Sequence, residues 1–486
     1  MKKVLLGLIS AGLCVGTAMA APAAELDTSE EVELVMYIVS DRPAGQDAVD
    51  EHFNEMLKQK LNCTLKVNWL GWAEYSQKYP LLFSSGEKFD MAYAAGWLNF
   101  ADFAKKGAFL PLDDLLPAYA PDNYALQSED ALTQATVDGH LYAVPTLLGT
   151  YGVYGAIYRG DIAEEWPEYD GNLDSWEEIG AYLEFVKENH PEMEPLDIYS
   201  GNDELLLTWA GSQGYAAVDG RYLFYNTDEE HPQVVAAYDI PGIEDFLAMT
   251  AEWNKKGFWN KSALSDTDST KTQNGKAALR FHNVDTYANV YVTHPEWNFK
   301  YSRTTKNASH LPYTQDCMVL STTASNPERA LAFWNWITTD QEAFDAFYYG
   351  IPGVTYELNE AGQFKMLDPD LYSTSSMWAA RTTQLNRSQM GTPEEYDTMR
   401  ADWEEEIQPG KGAERFASFV LDTSGLETPI AGCTNAHNQY WFPMDLGFTD
   451  YTSELATYEK MMKTAGVETI IESVQRQLDD YLAAQE

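Results

Sequence analysis

Residues 84–97, SSGEKFDMAYAAGW, end a short alternating run on a glycine and a large aromatic ring. Gly86 and its charged neighbours make a turn. Phe89, Met91 and Tyr93 then alternate with small or polar residues, the period of a strand. Gly96 stops the run and Trp97 follows it. A tryptophan there offers a flat apolar face and a single N–H donor, the chemistry of stacking rather than of an acid, base or nucleophile. Two earlier strand-like runs, 32–39 and 64–70, end in the same manner. Asp41 and Arg42 follow the first; Trp69 closes the second, with Gly71 and Trp72 beyond it. Asp41, Trp72, Tyr93 and Trp97 thus combine aromatic faces with hydrogen-bonding edges, the equipment of a binding site. Aromatic residues make up 13% of the chain, with 14 Trp and 30 Tyr; core packing explains most of them, but the Tyr and Trp share is still high, and both rings cluster at ligand sites.

The elements that must hold these residues follow from periodicity. Residues 46–61 place Val49, Phe53, Met56, Leu57 and Leu61 on one helical stripe, and 72–83 and 99–106 read as two further helices. Strands alternating with helices argue for a parallel sheet in an α/β lobe, and such sheets bind ligands at the carboxyl ends of their strands. Asp138-Gly139 predicts a turn before a strand that ends at Pro145. The stretch 149–160, GTYGVYGAIYRG, is neither GxGxxG nor a phosphate loop, and its glycines suit a chain crossing between two lobes. Helix caps are expected at Asp174-Ser-Trp-Glu177, Ser325-Asn-Pro-Glu328 and Thr392-Pro-Glu-Glu395. The spacings of Trp334 and Trp403 on the last two helices predict core positions.

Composition narrows the function. The net charge of the 486 residues is −43, and a surface so acidic repels nucleic acid and anionic lipid, so neither is an expected partner. Lys2 and Lys3, the apolar run 4–15 and Ala18-Met-Ala20 form an export signal over residues 1–20. Cys14 follows Leu13 where a lipid-attachment site needs a small residue, so a freely released periplasmic or cell-surface protein is expected. Cys63, Cys317 and Cys433 have no metal spacing and read as buried thiols. Asp266-Thr-Asp268-Ser-Thr270 starts like a calcium loop, but Lys271 stands where the turn needs glycine and Ala277 where a bidentate glutamate belongs. HExxH and GxSxG are absent. No catalytic residue, metal site or cofactor is expected.

Residues 65–97 (LKVNWLGWAEYSQKYPLLFSSGEKFDMAYAAGW) resemble the extracellular solute-binding proteins of ABC importers. Further segments keep that family's order: 107–114 (GAFLPLDD), 138–145 (DGHLYAVP), 275–278 (GKAA), 326–330 (NPERA), 350–356 (GIPGVTY) and 465–479. The chain is most similar to members with an extended carboxyl-terminal region of unassigned role. It departs from them in lacking a lipid site, in having no histidine before Tyr356, and near 383–386, where relatives show a glycine-asparagine pair. The resemblance implies a two-lobed, type II-like periplasmic-binding-protein fold with a hinge and a central ligand cleft. It implies crossings near 145–152, 311–314 and 351–356. The first lobe would then comprise 30–147 plus 312–352, and the second 148–311 plus 353–486.

The ligand class so implied is an oligosaccharide, delivered by a monomeric protein to the transmembrane subunits of an ABC permease. Sugars have C–H faces and hydroxyl edges, so their sites need aromatic platforms beside planar polar groups. The resemblance adds His282 and Asn283 at the end of a strand near the cleft, Tyr356 at a crossing, and Trp378 and Arg381 in a loop near the site. Trp209 joins them as the ring that follows a short apolar run. Two alternatives stay open: an exported carbohydrate-active enzyme, and a peptide or sugar-acid ligand needing Arg42, Arg159, Arg303 or Arg381.

Overall fold

The computed structural model describes residues 24–485 apart from 73, 202, 219–221 and 370. The expected export signal and Cys14 lie outside the described residues. Among those described, no helix is long and apolar enough to cross a membrane.

The first lobe is built on a five-stranded sheet. Its order is Cys63–Leu70, Val32–Val39, Met91–Ala94, Cys317–Leu320, Val144–Pro145. The first three strands are parallel and the last two antiparallel. The helix Gln46–Leu61 buries Val49, Phe53, Leu57 and Leu61 of the stripe read from the sequence, and Met56, its fifth member, is half-buried against the same core. Trp334 is fully buried in this lobe's core. Asp138 and Gly139 both take positive φ, +50° and +83°, and join two short strands as a hairpin.

The second lobe holds a four-stranded sheet, Lys300–Arg303, Tyr154–Tyr158, Ala277–Asn283, Glu194–Leu196, beside a smaller three-stranded one. Gly155 and Gly160 serve this sheet rather than the crossing, because a Cβ at either would run into the backbone carbonyl of Ser302 or Asn298. One core contains the carboxyl-terminal helices Tyr451–Ala465 and Val467–Ala483, through Tyr458, Met462, Ile470, Val474 and Leu478. A separate cluster packs Trp403, as expected a core residue, against Val153, Ile157, Tyr287 and Tyr301. The three described cysteines are free and buried.

Two sequence expectations need correction. The capping box at the helix Trp176–Asn189 is shifted by one residue: Ser175 Oγ accepts from the Glu178 N–H at 3.2 Å, and Glu178 reaches back to Asp174 N–H. At Asn326 and Pro393 no side-chain cap forms. The lobe boundary at 352/353 is also displaced. Tyr356, Phe364, Met366 and Tyr372 pack with Val49, Phe344, Tyr348 and Tyr349, and Met377, Ala379 and Ala380 enter the first lobe's core. Arg387 forks onto Asp345, with Nη2 2.7 Å from Oδ2. Residues 356–388 therefore belong with the first lobe, and the third crossing falls just before the helix Glu394–Glu406. Burial of apolar surface against the helix carrying Phe344 outweighs the chain order that suggested an earlier return.

The first two crossings run side by side: Gly152 N–H donates to Ser309 O at 2.7 Å, and Leu311 N–H to Thr150 O at 2.8 Å. Where the first begins, Leu147 N–H donates to Arg381 O of the first lobe, and Leu147 O accepts from Thr383 N–H.

One buried group strains the second lobe. Asp445 is fully buried, and among the described residues neither of its oxygens has a hydrogen-bond partner. Burial, reinforced by Asp203, holds its carboxyl well above the usual range. A carboxyl with a raised folded pKa contributes full stability only below its unfolded pKa, and stability falls as pH rises toward the folded pKa, by up to about 1.4 kcal/mol per pH unit. Asp445→Asn is expected to flatten that slope, raising the melting temperature at pH 7 with little effect at pH 4. Equal shifts at both pH values would remove Asp445 as the cause.

Candidate ligand-binding site

The parallel register Val32↔Cys63 through Val39↔Leu70 carries both strands to the same edge, so the residues past their ends become neighbours. Asp41 Oδ1 accepts the Trp72 N–H at 3.2 Å. Gly71 makes that approach possible, since a Cβ there would meet Asp41 Oδ1 at 2.6 Å. The third strand brings Trp97 to the same edge. The Trp72 and Trp97 rings lie 6.2 Å apart at 25°, and Trp72 and Trp378 6.1 Å apart at 24°. Tyr93 meets Trp97 at 6.1 Å and the edge of Trp378 at 5.8 Å. Trp72 and Trp97 are 43% and 38% exposed, whereas Tyr93 on the third strand is 1% exposed. An aromatic surface left open to solvent at the strand ends is what a stacking ligand needs.

Beneath the rings lies a charged anchor. Tyr93 Oη donates to Asp316 Oδ1 at 2.6 Å, and Arg381 Nη2 donates to Asp316 Oδ2 at 2.7 Å. Arg381 Nε also donates to Trp378 O at 3.1 Å, which fixes the loop carrying that ring. Burial and then Asp316 push the Tyr93 phenol well up, so it stays a neutral donor. Asp316 directly follows the second crossing and accepts Thr146 N–H at its carbonyl, and Arg381 O accepts Leu147 N–H, so this anchor ties the aromatic surface to the start of the first crossing.

On the second lobe, His282 and Asn283 end their strand as expected. Asn283 Oδ1 caps the next helix by accepting Thr286 N–H at 3.0 Å. His282 Nδ1 is 2.8 Å from Thr286 Oγ1 and Nε2 is 3.4 Å from Glu204 Oε1. Burial lowers the His282 pKa against the pull of Glu204, which favours a neutral ring at pH 7. Tyr154 pairs with Asn283 across the sheet and sets its ring 5.9 Å from His282.

Two candidates are not brought to either surface. Trp209 lies on the helix Glu204–Ser212, 6% exposed, its ring stacked on Phe246 at 4.8 Å. Tyr356 is 4% exposed beside Tyr349, away from any crossing. Each obeys the ordinary pull of a large ring into an apolar core. Tyr75 was missed: it sets its edge on both Trp72 and Trp97, at 5.5 and 6.0 Å. Its spacing from Trp72, one helical turn on, was the available signal. Asp316, Tyr154 and Glu204 carried no sequence signal. Among the described residues no cluster of His, Cys, Asp and Glu is arranged to hold a metal ion.

The profile of the family described as bacterial extracellular solute-binding protein matches residues 42–344, and a domain of unknown function matches 415–483. A carbohydrate ABC transporter substrate-binding protein of Streptococcus pneumoniae serotype 4 is 22% identical, covering 98% of this chain and 95% of its own length. Among solved structures, the N-glycan transport solute-binding protein NgtS of Streptococcus pneumoniae, in complex with Man1GlcNAc, superposes with a TM-score of 0.78 at 19% identity, over 93% of this chain and all of that one. An extracellular solute-binding protein from Bifidobacterium longum subsp. infantis gives 0.63 at 14% identity, over 94% of this chain and 100% of that one.

Proposed function

The chain belongs to the bacterial extracellular solute-binding proteins, and from that premise we propose that it is the substrate-binding component of an ABC importer. It captures a neutral oligosaccharide between its lobes and delivers it to a membrane permease. The observation that carries the ligand class is the ring set of exposed Trp72 and Trp97 with half-buried Trp378, above the Tyr93–Asp316–Arg381 anchor. The first lobe supplies this platform; His282, Asn283 and Tyr154 are the polar and aromatic edge proposed to meet the ligand from the second.

The engaged arginines favour a neutral glycan over a sugar acid. Arg42 pairs with Asp47 and Asp50, Arg159 with Asp161, Arg303 with Glu406, and Arg381 with Asp316. An anionic ligand would have to displace a carboxylate from one of them. Relatives described as binding components of transporters, together with their structures described with N-glycans or kestose, support the transport reading over a glycan-cleaving enzyme.

A thermal-shift screen of the purified protein tests this. Probes are Man1GlcNAc, Man5GlcNAc, kestose and fructo-nystose, with alginate oligomers and short peptides as contrasts. A ligand at a hundredfold excess over its dissociation constant adds about 2.7 kcal/mol to stability. A clear upward shift is expected with one neutral glycan series and none with alginate. A shift with alginate or peptide alone would overturn the ligand class, and disappearance of a glycan during incubation would overturn the binding role.

A further inference from the structure

The second lobe contains a cavity of about 410 Å³, within the range of small-molecule sites. We propose that this cavity holds the outer sugar residues of the captured oligosaccharide, and that the carboxyl-terminal segment around 413–421 exists in part to wall it. The inference rests on the oligosaccharide reading above and adds a second contact region to it.

Three observations carry it. The first is the lining. Tyr215 and Phe419, both half-buried, line it with ring surface, over a floor where the buried Tyr225 and Phe416 meet at 4.7 Å and 52°. Asn307 lines the cavity beside them; its amide donates to Thr227 Oγ1 at 2.9 Å and to Asp228 Oδ1 at 2.8 Å. Among the described residues nothing donates to its carbonyl oxygen, which leaves an acceptor for a hydroxyl. Gly152 and Gly211 keep the wall free of side chains. No lysine, arginine or carboxylate is among the described lining residues. His310 also lines the cavity, but both of its ring nitrogens are held by Glu414 and Glu404, so the aromatic and polar surface suits a neutral sugar better than an anionic group.

The second observation is continuity with the proposed ligand site. Tyr154 lines the cavity, and it is also the ring beside His282 and the strand partner of Asn283. A chain of sugars passing His282 reaches the cavity by way of Tyr154.

The third is how the outer wall is held. The 3-10 helix Gly412–Phe416 is tied to the second crossing: His310 N–H donates to Glu414 Oε2 at 2.8 Å and His310 Nδ1 lies 3.0 Å from Glu414 Oε1. Farther along, Ser418 Oγ accepts from Gln134 Nε2 at 3.0 Å, and Asp422 forms an ion pair with Lys105. Gln134 and Lys105 belong to the first lobe. A wall fastened to one lobe, to the crossing and to the other lobe changes with lobe movement, as part of a closing site must.

Filling the cavity from opposite walls tests the proposal. Ala217 is exposed on the strand Tyr215–Ala217, and Ala413 is half-buried on the 3-10 helix. Ala217→Trp and Ala413→Trp are measured by titration calorimetry in the full chain. The probes are two short–long pairs, Man1GlcNAc with Man5GlcNAc and kestose with fructo-nystose. In the pair that binds, both variants are expected to weaken the longer glycan by about tenfold, and the shorter by less than about twofold. Binding of the shorter glycan also shows that each variant is folded; should one fail to fold, the other decides. Wild-type affinity for the longer glycan in the variants overturns the cavity and leaves the transport reading standing, as does equal weakening of both lengths. If the wild-type protein binds neither pair, the neutral-glycan reading falls and the cavity proposal with it.

Discussion

Lys271→Met is expected to cost about 3–5 kcal/mol of stability, the range for removing one partner from a buried ion network. The Lys271 side chain is 4% exposed. Its ammonium lies 2.9 Å from Asp266 Oδ2, 3.2 Å from Glu194 Oε2 and 3.8 Å from Asp197 Oδ1, and donates to Ile198 O at 2.5 Å. Methionine keeps most of the volume and removes the charge. Asp197, whose side chain is fully buried, would then rely on Thr272 and the charge of Arg280. The Lys271 pKa is raised by its carboxylates against the opposing effect of burial. Its stabilisation is therefore complete through neutral pH and fades only in strong alkali. The variant's deficit follows its orphaned carboxylates instead. Burial already raises the Asp197 pKa, so the deficit grows as pH climbs through the acid range and shrinks when the carboxyl is protonated. Denaturant unfolding at pH 4 and pH 7 measures this. An unchanged midpoint at pH 7 would show that the cage holds nothing together. The expected loss bears on function as well, because the cage pins the start of the strand Ala277–Asn283 to its neighbour Glu194–Leu196, and that strand carries His282 and Asn283.

The same loop shows what a sequence reveals and what it hides. Lys271 in the glycine position was enough to reject a calcium loop. Nothing in the sequence placed its ammonium among acids of another segment, because Glu194 and Asp197 are remote in the chain, at separations of 77 and 75 for the two hydrogen-bonded contacts Lys271–Glu194 and Thr272–Asp197. The first lobe was more legible. Its strands and helices alternate within short spans, so period and chain order defined the sheet edge, and Asp41, Trp72 and Trp97 could be placed there by counting. Trp378 and Arg381 came from resemblance alone, since they reach that edge across more than two hundred residues of intervening chain. Trp209 misled for a physical reason. Its helix is buried at Leu205, Leu206, Thr208 and Trp209, nearly all round, and an apolar run without a polar face gives no phase from which to tell core from surface. Tyr356 misled because a crossing was expected where the chain instead folds back on Phe344 and Tyr349.

Trp72→Ala and Trp97→Ala are each expected to weaken the captured glycan by about 1–3 kcal/mol, roughly 5- to 150-fold, while leaving the fold nearly as stable as before. The two halves of that expectation have different causes. Both rings are partly exposed, so truncation removes little buried area and opens no closed cavity. In the complex each ring would cover a sugar face, and its loss would remove that contact in full. The rings also touch one another, and Trp72 touches Trp378, so they act as one surface. The double variant should therefore lose less than the sum of the single losses, with a coupling of about 0.5 kcal/mol or more. Trp209→Ala supplies the contrast. That ring is stacked on Phe246 in the core, so its truncation should cost about 3–5 kcal/mol of stability. It should change the affinity of the remaining folded protein little. Titration calorimetry and denaturant unfolding on the same four proteins separate the two effects. Unchanged glycan affinity in Trp97→Ala would move the ligand off this platform. Additive losses in the double variant would mean that the two rings serve separate sugars.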